Sequence, residues 1–398
     1  MKHATAVLMA LIGILIVGCH KGGVRQEVPS EIQKTNRTDE ESRVSQAGRD
    51  PRAGVEAYMD VRGDDLRACD LRDAGGILDT LTFNQETLWP PRDRLPEGFD
   101  PERRLQESMN PGLGVRELHR RGITGKGVYV AIIDQPMYLT HPEFVGKVVA
   151  YHDVGCYPQD TIHGTAVTSL LVGTHCGTAP EACVFYAAAP SWTGNSAYYA
   201  EALDWIMGHN HGLPDSERIR VVSVSARPSG PESPFKKNRA QWDKAFRRAQ
   251  KEGILVLDAS QHNGFISSCW CDPHDPENPA KCTPGYPGLP DRYNPDNLMA
   301  PTSLRTVARQ EEPDRPSYQY YGRGGLSWGI PYVAGVLAMG WQIRPELSPE
   351  QMKVLLFQSA FTNDNGVKII NPKAFIRMVQ TAKTDSLRKQ LEGVPRRK

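Results

Sequence analysis

Strands that are apolar along their whole length, alternating with helical patterns, predict an α/β fold. It is a doubly wound, mostly parallel sheet with helices on both faces, preceded by an N-terminal tether and arm. Runs at 128–133, 182–186, 219–224 and 254–257 are near-continuous in apolar residues, as strands covered on both faces are. Helical patterns lie between them, at 197–209, where Tyr198, Ala202, Trp205 and Ile206 share one side, and at 239–251. Such alternation implies βαβ crossovers and a parallel sheet.

Taken in chain order, the N-terminus reads as an address. Met1-Lys2-His3 is a short basic start, and residues 4–17 are an almost unbroken apolar run. The run is too short for a permanent bilayer span and has the layout of a secretory signal. Its end, Ile16-Val17-Gly18-Cys19, resembles a bacterial lipobox, which implies cleavage before Cys19 and lipidation of that thiol. An ordinary signal peptide cut nearby is the alternative. His20 in place of Asp, by resemblance to Gram-negative lipoproteins, points to the outer membrane. The segments are then a signal over 1–18, a tether over 19–53, an arm or propeptide-like segment over 54–110, a main domain over 111–381 and a basic polar tail over 382–398. The tether is polar and poor in aromatics, so it buries too little apolar surface to offset ordering entropy. Residues 54–110 show no sustained period, and the arm is the reading preferred. Ser348-Pro349-Glu350-Gln351 places a cap, a first-turn proline and a capping-box partner before a helix over 352–359.

A chain of 398 residues with net charge +1 holds one large domain or two modest ones. Its charge argues against a nucleic-acid partner, since no block of Lys and Arg stands out except the tail. Eight cysteines in an exported protein point to disulfides. With Cys19 lipidated an odd number remains, so one thiol stays free or pairs between molecules. Cys176 with Cys183, and the group Cys269, Cys271 and Cys282, are the expected bridging sets.

Three short segments carry chemistry. Asp134 ends a buried strand, His163 opens a helical stretch over 163–172, and Ser327 in Gly325-Leu326-Ser327-Trp328-Gly329-Ile330-Pro331 opens an apolar helix running through Met339. Ligand sites in open α/β sheets lie at the carboxyl ends of strands, and a helix start is electropositive. In nucleophilic catalysis His163 takes the Ser327 proton while Asp134 holds the imidazole tautomer. Each residue alone also has a plain reading, as a turn cap, a loop residue and an N-cap, so the flanks decide.

Those flanks resemble the subtilisin-like serine proteases, the subtilases. Asp134 through His141-Pro142-Glu143-Phe144 is similar to the family's Asp segment, and His163-Gly164-Thr165-Ala166-Val167 to its His-Gly-Thr-His-Val. Gly177-Thr178-Ala179-Pro180, Met299-Ala300-Pro301 and Leu326-Ser327-Trp328-Gly329-Ile330-Pro331-Tyr332-Val333-Ala334-Gly335 resemble three further family segments in the same order. The resemblance covers roughly 111–381. It implies a monomeric endopeptidase acting on protein or peptide substrates through an acyl-enzyme on Ser327; neither a cofactor nor a metal is expected. The family's Ala-Ala-Gly-Asn oxyanion segment is altered here to Ala259-Ser260-Gln261-His262-Asn263-Gly264. An ungapped count aligns His262 with the Asn, a one-residue insertion aligns Asn263, and Gln261 can also donate; Asn263 is favoured, with the Ser327 N–H as the second donor. The substrate-binding strand corresponds to Ser225-Ala226-Arg227. An Arg at that point either narrows the channel or favours acidic substrates, unless it simply faces away. The loop after the His helix lacks the asparagine-rich insertion of the family's best-known calcium site, and Glu143 is left without that site's other ligands.

Other readings are weighed on the same residues. Gly-x-Ser-x-Gly at 325–329 also fits an α/β-hydrolase elbow, but that fold needs a later histidine and none follows Ser327. A trypsin-like barrel would leave Asp134 idle. A zinc site on His262, Cys269, Cys271, His274 and Cys282 competes with disulfides, which an exported chain favours. A subtilase fold reused as an envelope scaffold or binding module remains the non-enzymatic alternative.

Overall fold

The computed structural model describes residues 54–156 and 162–383. The signal segment, Cys19, the tether and residues 384–398 lie outside the described residues.

The expected parallel sheet is present, with five strands: β2 (Tyr129–Asp134), β3 (Val148–Asp153), β4 (Cys183–Ala188), β5 (Val221–Val224) and β6 (Leu255–Asp258). Their order is β3-β4-β2-β5-β6, and every pairing is parallel. The continuous apolar runs are explained by two cores, one on each face. Val130 and Ile132 of β2 pack with Ala166 and Leu170 of α3 (Ile162–Val172) and with Ile330 and Val333 of α6 (Leu326–Ile343). Ala131 and Ile133 pack instead with Ala202 and Ile206 of α4 (Ser196–His211) and with Ala245 of α5 (Arg239–Lys251). The chain leaves β2 toward β3 and β4 on one side and resumes at β5 on the other. Asp134 therefore ends the strand at which the winding reverses, where ligand crevices form.

Two smaller sheets flank this core. One has the order β12-β13-β9-β7-β8, from Phe361–Thr362, Lys368–Ile369, Leu298–Pro301, Ile266–Cys271 and Cys282–Pro284. The other is antiparallel, β1-β11-β10, from Thr82–Asn84, Pro316–Tyr321 and Arg305–Gln310. Through β1 the segment before α1 (Pro101–Glu107) adds an edge strand to β11. Val61, Leu71, Leu78, Leu81 and Phe83 form a core of their own around the fully buried Tyr320 of β11. The short α2 (Val115–Arg120) follows, and α7 (Pro349–Gln358) and α8 (Pro372–Thr381) close the chain against α6. At the start of α7 the capping box forms in full: Ser348 Oγ accepts from Gln351 N and Ser348 N donates to Gln351 Oε1.

One expected bridge is corrected. Cys176 is a free, fully buried thiol and does not pair with Cys183. The second set divides, with Cys271 bonded to Cys282 and Cys269 left as a buried thiol.

Candidate active site

Asp134, His163 and Ser327 line one cleft of ≈ 800 Å³ across the carboxyl ends of the parallel strands. His163 Nδ1 lies 2.6 Å from Asp134 Oδ1. The carboxylate is 1% exposed, and its Oδ1 also accepts from Gln135 N at 2.8 Å. Since an ionised carboxylate only accepts, Nδ1 carries the proton and Nε2 is the basic nitrogen.

The sequence explains why these groups meet. A Cβ on Gly164 would stand 2.2 Å from Gln135 O and 2.3 Å from Tyr186 Oη. Glycine therefore lets the first turn of α3 press on the end of β2, which brings the neighbouring His163 to Asp134. Tyr186 Oη holds the same Gln135 carbonyl. Burial, and then the Asp134 charge, push the phenols of Tyr186 and Tyr199 up, keeping both neutral beneath the carboxylate.

Ser327 is placed by proline chemistry. Pro331 lies inside α6 and has no N–H, so the Ser327 carbonyl four residues earlier has no helical donor. Ser225 Oγ takes that carbonyl at 2.9 Å, and Ser327 Oγ donates to Ser225 O at 3.3 Å. The residue after β5 and the candidate nucleophile are thus tied in both directions. Gly324, at φ +65°, leads into α6, and a Cβ there would meet Thr302 O at 1.7 Å.

Trp328 was not singled out from the sequence as a site residue. Its ring lies between His163 (5.5 Å between centroids) and Tyr321 (5.1 Å) and is 5% exposed, so it backs the imidazole. The only sequence signal was a bulky residue directly after the serine. Gln135 is likewise new, its Nε2 bonded to Ser191 Oγ at 2.8 Å on the cleft wall.

The oxyanion candidates separate. Gln261 lines the cleft. His262 is exposed and packs its Cβ near Gly230. The Asn263 amide, favoured from sequence, sits beside the buried Asp258 carboxylate and acts to lower its pKa, although Nδ2 makes no well-aligned hydrogen bond. Burial dominates at Asp258 and holds its pKa above the usual carboxylate range. The turn causes this difference: Ser260 Oγ accepts from Asn263 N at 3.1 Å and donates to Asp258 Oδ1 at 2.6 Å, curling the segment back on the strand end. Ser225, Ala226 and Arg227 all line the cleft. The Ala226 and Arg227 carbonyls are already occupied, by Ala259 N at 2.9 Å and Ser233 Oγ at 2.6 Å.

Glu143 is fully buried and accepts from His175 N (2.8 Å), His175 Nδ1 (2.8 Å), Cys176 N (3.1 Å) and Tyr318 Oη (2.9 Å). Burial pushes its pKa up, but the hydrogen bonds from His175 and Cys176 prevail and hold it low. The sulfurs of Cys269, Cys271 and Cys282 lie within 4.8 Å of one another. Two of them are joined to each other, so the trio is not a set of three thiolate ligands.

Comparison with known proteins bears on the fold that holds this cleft. Residues 125–291 match the model described as the subtilase family. The chain is 26% identical over 297 residues to the serine protease AprX of Bacillus subtilis (strain 168), across 63% of this chain and 66% of that protein. It is 24% identical over 293 residues to the subtilisin-like protease PopC of Myxococcus xanthus (strain DK1622), across 62% and 58%. The chain thus spans about three fifths to two thirds of the length of these relatives. Among solved structures, the A-subunit of the AB5 toxin from E. coli aligns at TM-score 0.53 and 17% identity, covering 68% of this chain and 98% of that one. The prenylagaramide maturation protease PagA aligns at TM-score 0.50 and 18% identity, covering 68% and 99%. At these identities the structures speak for the fold alone, which is subtilisin-like.

Proposed function

We propose that the protein is an exported serine endopeptidase that hydrolyses peptide bonds through Asp134, His163 and Ser327. The observation that carries this reading is the 2.6 Å Asp134–His163 contact in the cleft that Ser327 also lines. His163 Nε2 accepts the Ser327 proton as Oγ attacks the scissile carbonyl, forming a C–O bond and a tetrahedral oxyanion. The imidazolium, stabilised by Asp134, then protonates the leaving amine as the C–N bond breaks. Water, activated by the same imidazole, releases the acyl group. The Ser327 N–H and the Gln261 amide are the donors for the oxyanion, and the segment after β5, Ser225-Ala226-Arg227, flanks the substrate. Lipidation of Cys19 anchors the enzyme at the cell envelope.

The test is labelling with a fluorophosphonate probe. Stoichiometric modification of the folded wild type, absent in Ser327→Ala, is expected. Equal labelling of both proteins, or none, would replace the peptidase with the scaffold reading, which the displaced Asn263 amide favours. For the anchor, Cys19→Ala should move the protein out of the membrane fraction, and no redistribution would leave an ordinary signal peptide.

A further inference from the structure

Away from the cleft, a second cavity of ≈ 560 Å³ is walled by Arg104, Arg116, Arg305 and His274, with Glu107 as its one acid. Its arginines are not equivalent. Arg104 is neutralised by Asp79 at 2.8 Å, and Glu107 is committed to the exposed Arg103. Arg305 is 4% exposed and has no carboxylate within ion-pair distance among the described residues. Its Nε and Nη1 are buried without a hydrogen-bond partner, and Nη2 makes only a long contact, 3.4 Å, to Cys176 O. The guanidinium rests on the Tyr332 ring at 5.7 Å. A ring face attracts a cation but supplies no acceptor in the guanidinium plane.

A permanently charged guanidinium buried in this way is costly unless an anion meets it. Water would occupy the donors but leave the charge. Burial pulls the Arg305 pKa down; Tyr332 and Cys176 oppose this, and the neighbouring Arg116 adds like-charge repulsion. We propose that this cavity binds a small oxyanion, of the carboxylate or phosphate class, between Arg305 and Arg116.

The position gives such a ligand a lever on Ser327. The three residues before Arg305 hold the loop ahead of the serine: Gly325 N donates to Thr302 O (3.2 Å), Ser303 Oγ to Arg323 O (2.5 Å) and Leu304 N to Gly322 O (3.1 Å). Tyr332 belongs to the Ser327 helix itself. Binding stands apart from the peptidase reading, because it is measured without turnover.

The experiment is thermal unfolding and titration calorimetry of the full chain with inorganic phosphate and, separately, acetate, at ionic strength held constant with sodium chloride. A saturable rise in Tm with either oxyanion beyond chloride is expected, and the stronger of the two names the class. Arg305→Met should abolish that rise, while being at least as stable as wild type without oxyanion. Arg116→Gln, at the partly exposed wall, should weaken binding by about 10- to 100-fold, the range for a lost charge-assisted hydrogen bond. Equal response to phosphate, acetate and chloride, or an unchanged response in both variants, would overturn the site.

Discussion

Replacing Ser225 by alanine isolates the tie between the strand end and the candidate nucleophile. The Ser327 carbonyl lies four residues before Pro331, so its acceptor is filled by Ser225 Oγ at 2.9 Å and not by the helix. Ser225→Ala orphans that carbonyl beneath a site where Ser225 is itself only 8% exposed. An ordinary hydrogen bond contributes about 1 kcal/mol net, and an orphaned buried acceptor costs about 1–3 kcal/mol. A loss near 2 kcal/mol corresponds to a Tm lowered by about 4–8 °C in a domain of this size. The sharper reading comes from a double-mutant cycle. Pro331→Ala supplies an N–H that the Ser327 carbonyl can accept within the helix, so it should rescue Ser225→Ala by about 1 kcal/mol beyond additivity. The four proteins are compared by calorimetric unfolding. Strict additivity, with Ser225→Ala costing nothing, would refute the proline account of how Ser327 is held.

Gly164→Ala should displace the first turn of α3, because its Cβ would fall 2.2 Å from Gln135 O. A shift of about 1 Å in His163 should lower kcat on a peptide substrate by about 100-fold, and undiminished kcat would contradict the close-approach explanation. Lys147 Nζ donates to Glu143 O (2.9 Å), Val172 O (2.7 Å) and Thr174 Oγ1 (2.9 Å), yet burial holds its pKa down at about 8. A lysine pKa lowered on folding means that the unfolded chain binds its proton more tightly from pH 8 upward. Wild-type stability, measured against Lys147→Met, should therefore rise between about pH 8 and 10.4, by at most about 3 kcal/mol; a flat or falling difference in denaturant titrations would refute the shift. Reduction of Cys271–Cys282, which closes an 11-residue separation, should cost about 3 kcal/mol in chemical denaturation, with Cys282→Ser showing the same loss and no further response to reductant.

The parallel sheet was legible because its strands are buried on both faces and so carry unbroken apolar runs. The flanking sheets were not. Ile266–Cys271 reads Ile-Ser-Ser-Cys-Trp-Cys, and Arg305–Gln310 and Pro316–Tyr321 are rich in arginine, glutamine and tyrosine. Those strands bury polar side chains against partners far along the chain, among them Gln319 and Arg305, and periodicity cannot register such pairings. Asp134, His163 and Ser327, singled out from their flanks, are placed by the structure along one cleft. Residue counting contains no turn geometry, so it could not say that the turn closed by Ser260 leaves Gln261, among the three candidates, lining the cleft. The free thiol of Cys176 was equally hidden, because sequence spacing says nothing of burial.

The residues that look wrong for local structure are those that build the site. Gly324 and Gly325 lead into α6, and Gly329 and Pro331 sit in its first two turns, where helix propensity disfavours both. Gly324 admits the Thr302 carbonyl, a Cβ on Gly329 would stand 3.0 Å from Thr302 Cγ2, and Pro331 releases the Ser327 carbonyl to Ser225. Thr302 thus receives the serine loop on one side and precedes the buried Arg305 by three residues on the other. Stability lost to poor helix formers is returned as fixed geometry at one hydroxyl, and the same few residues would transmit any charge brought to Arg305. Local rules broken in one short stretch, each with a contact that requires the breakage, mark Ser327 as a built position and not a helix cap.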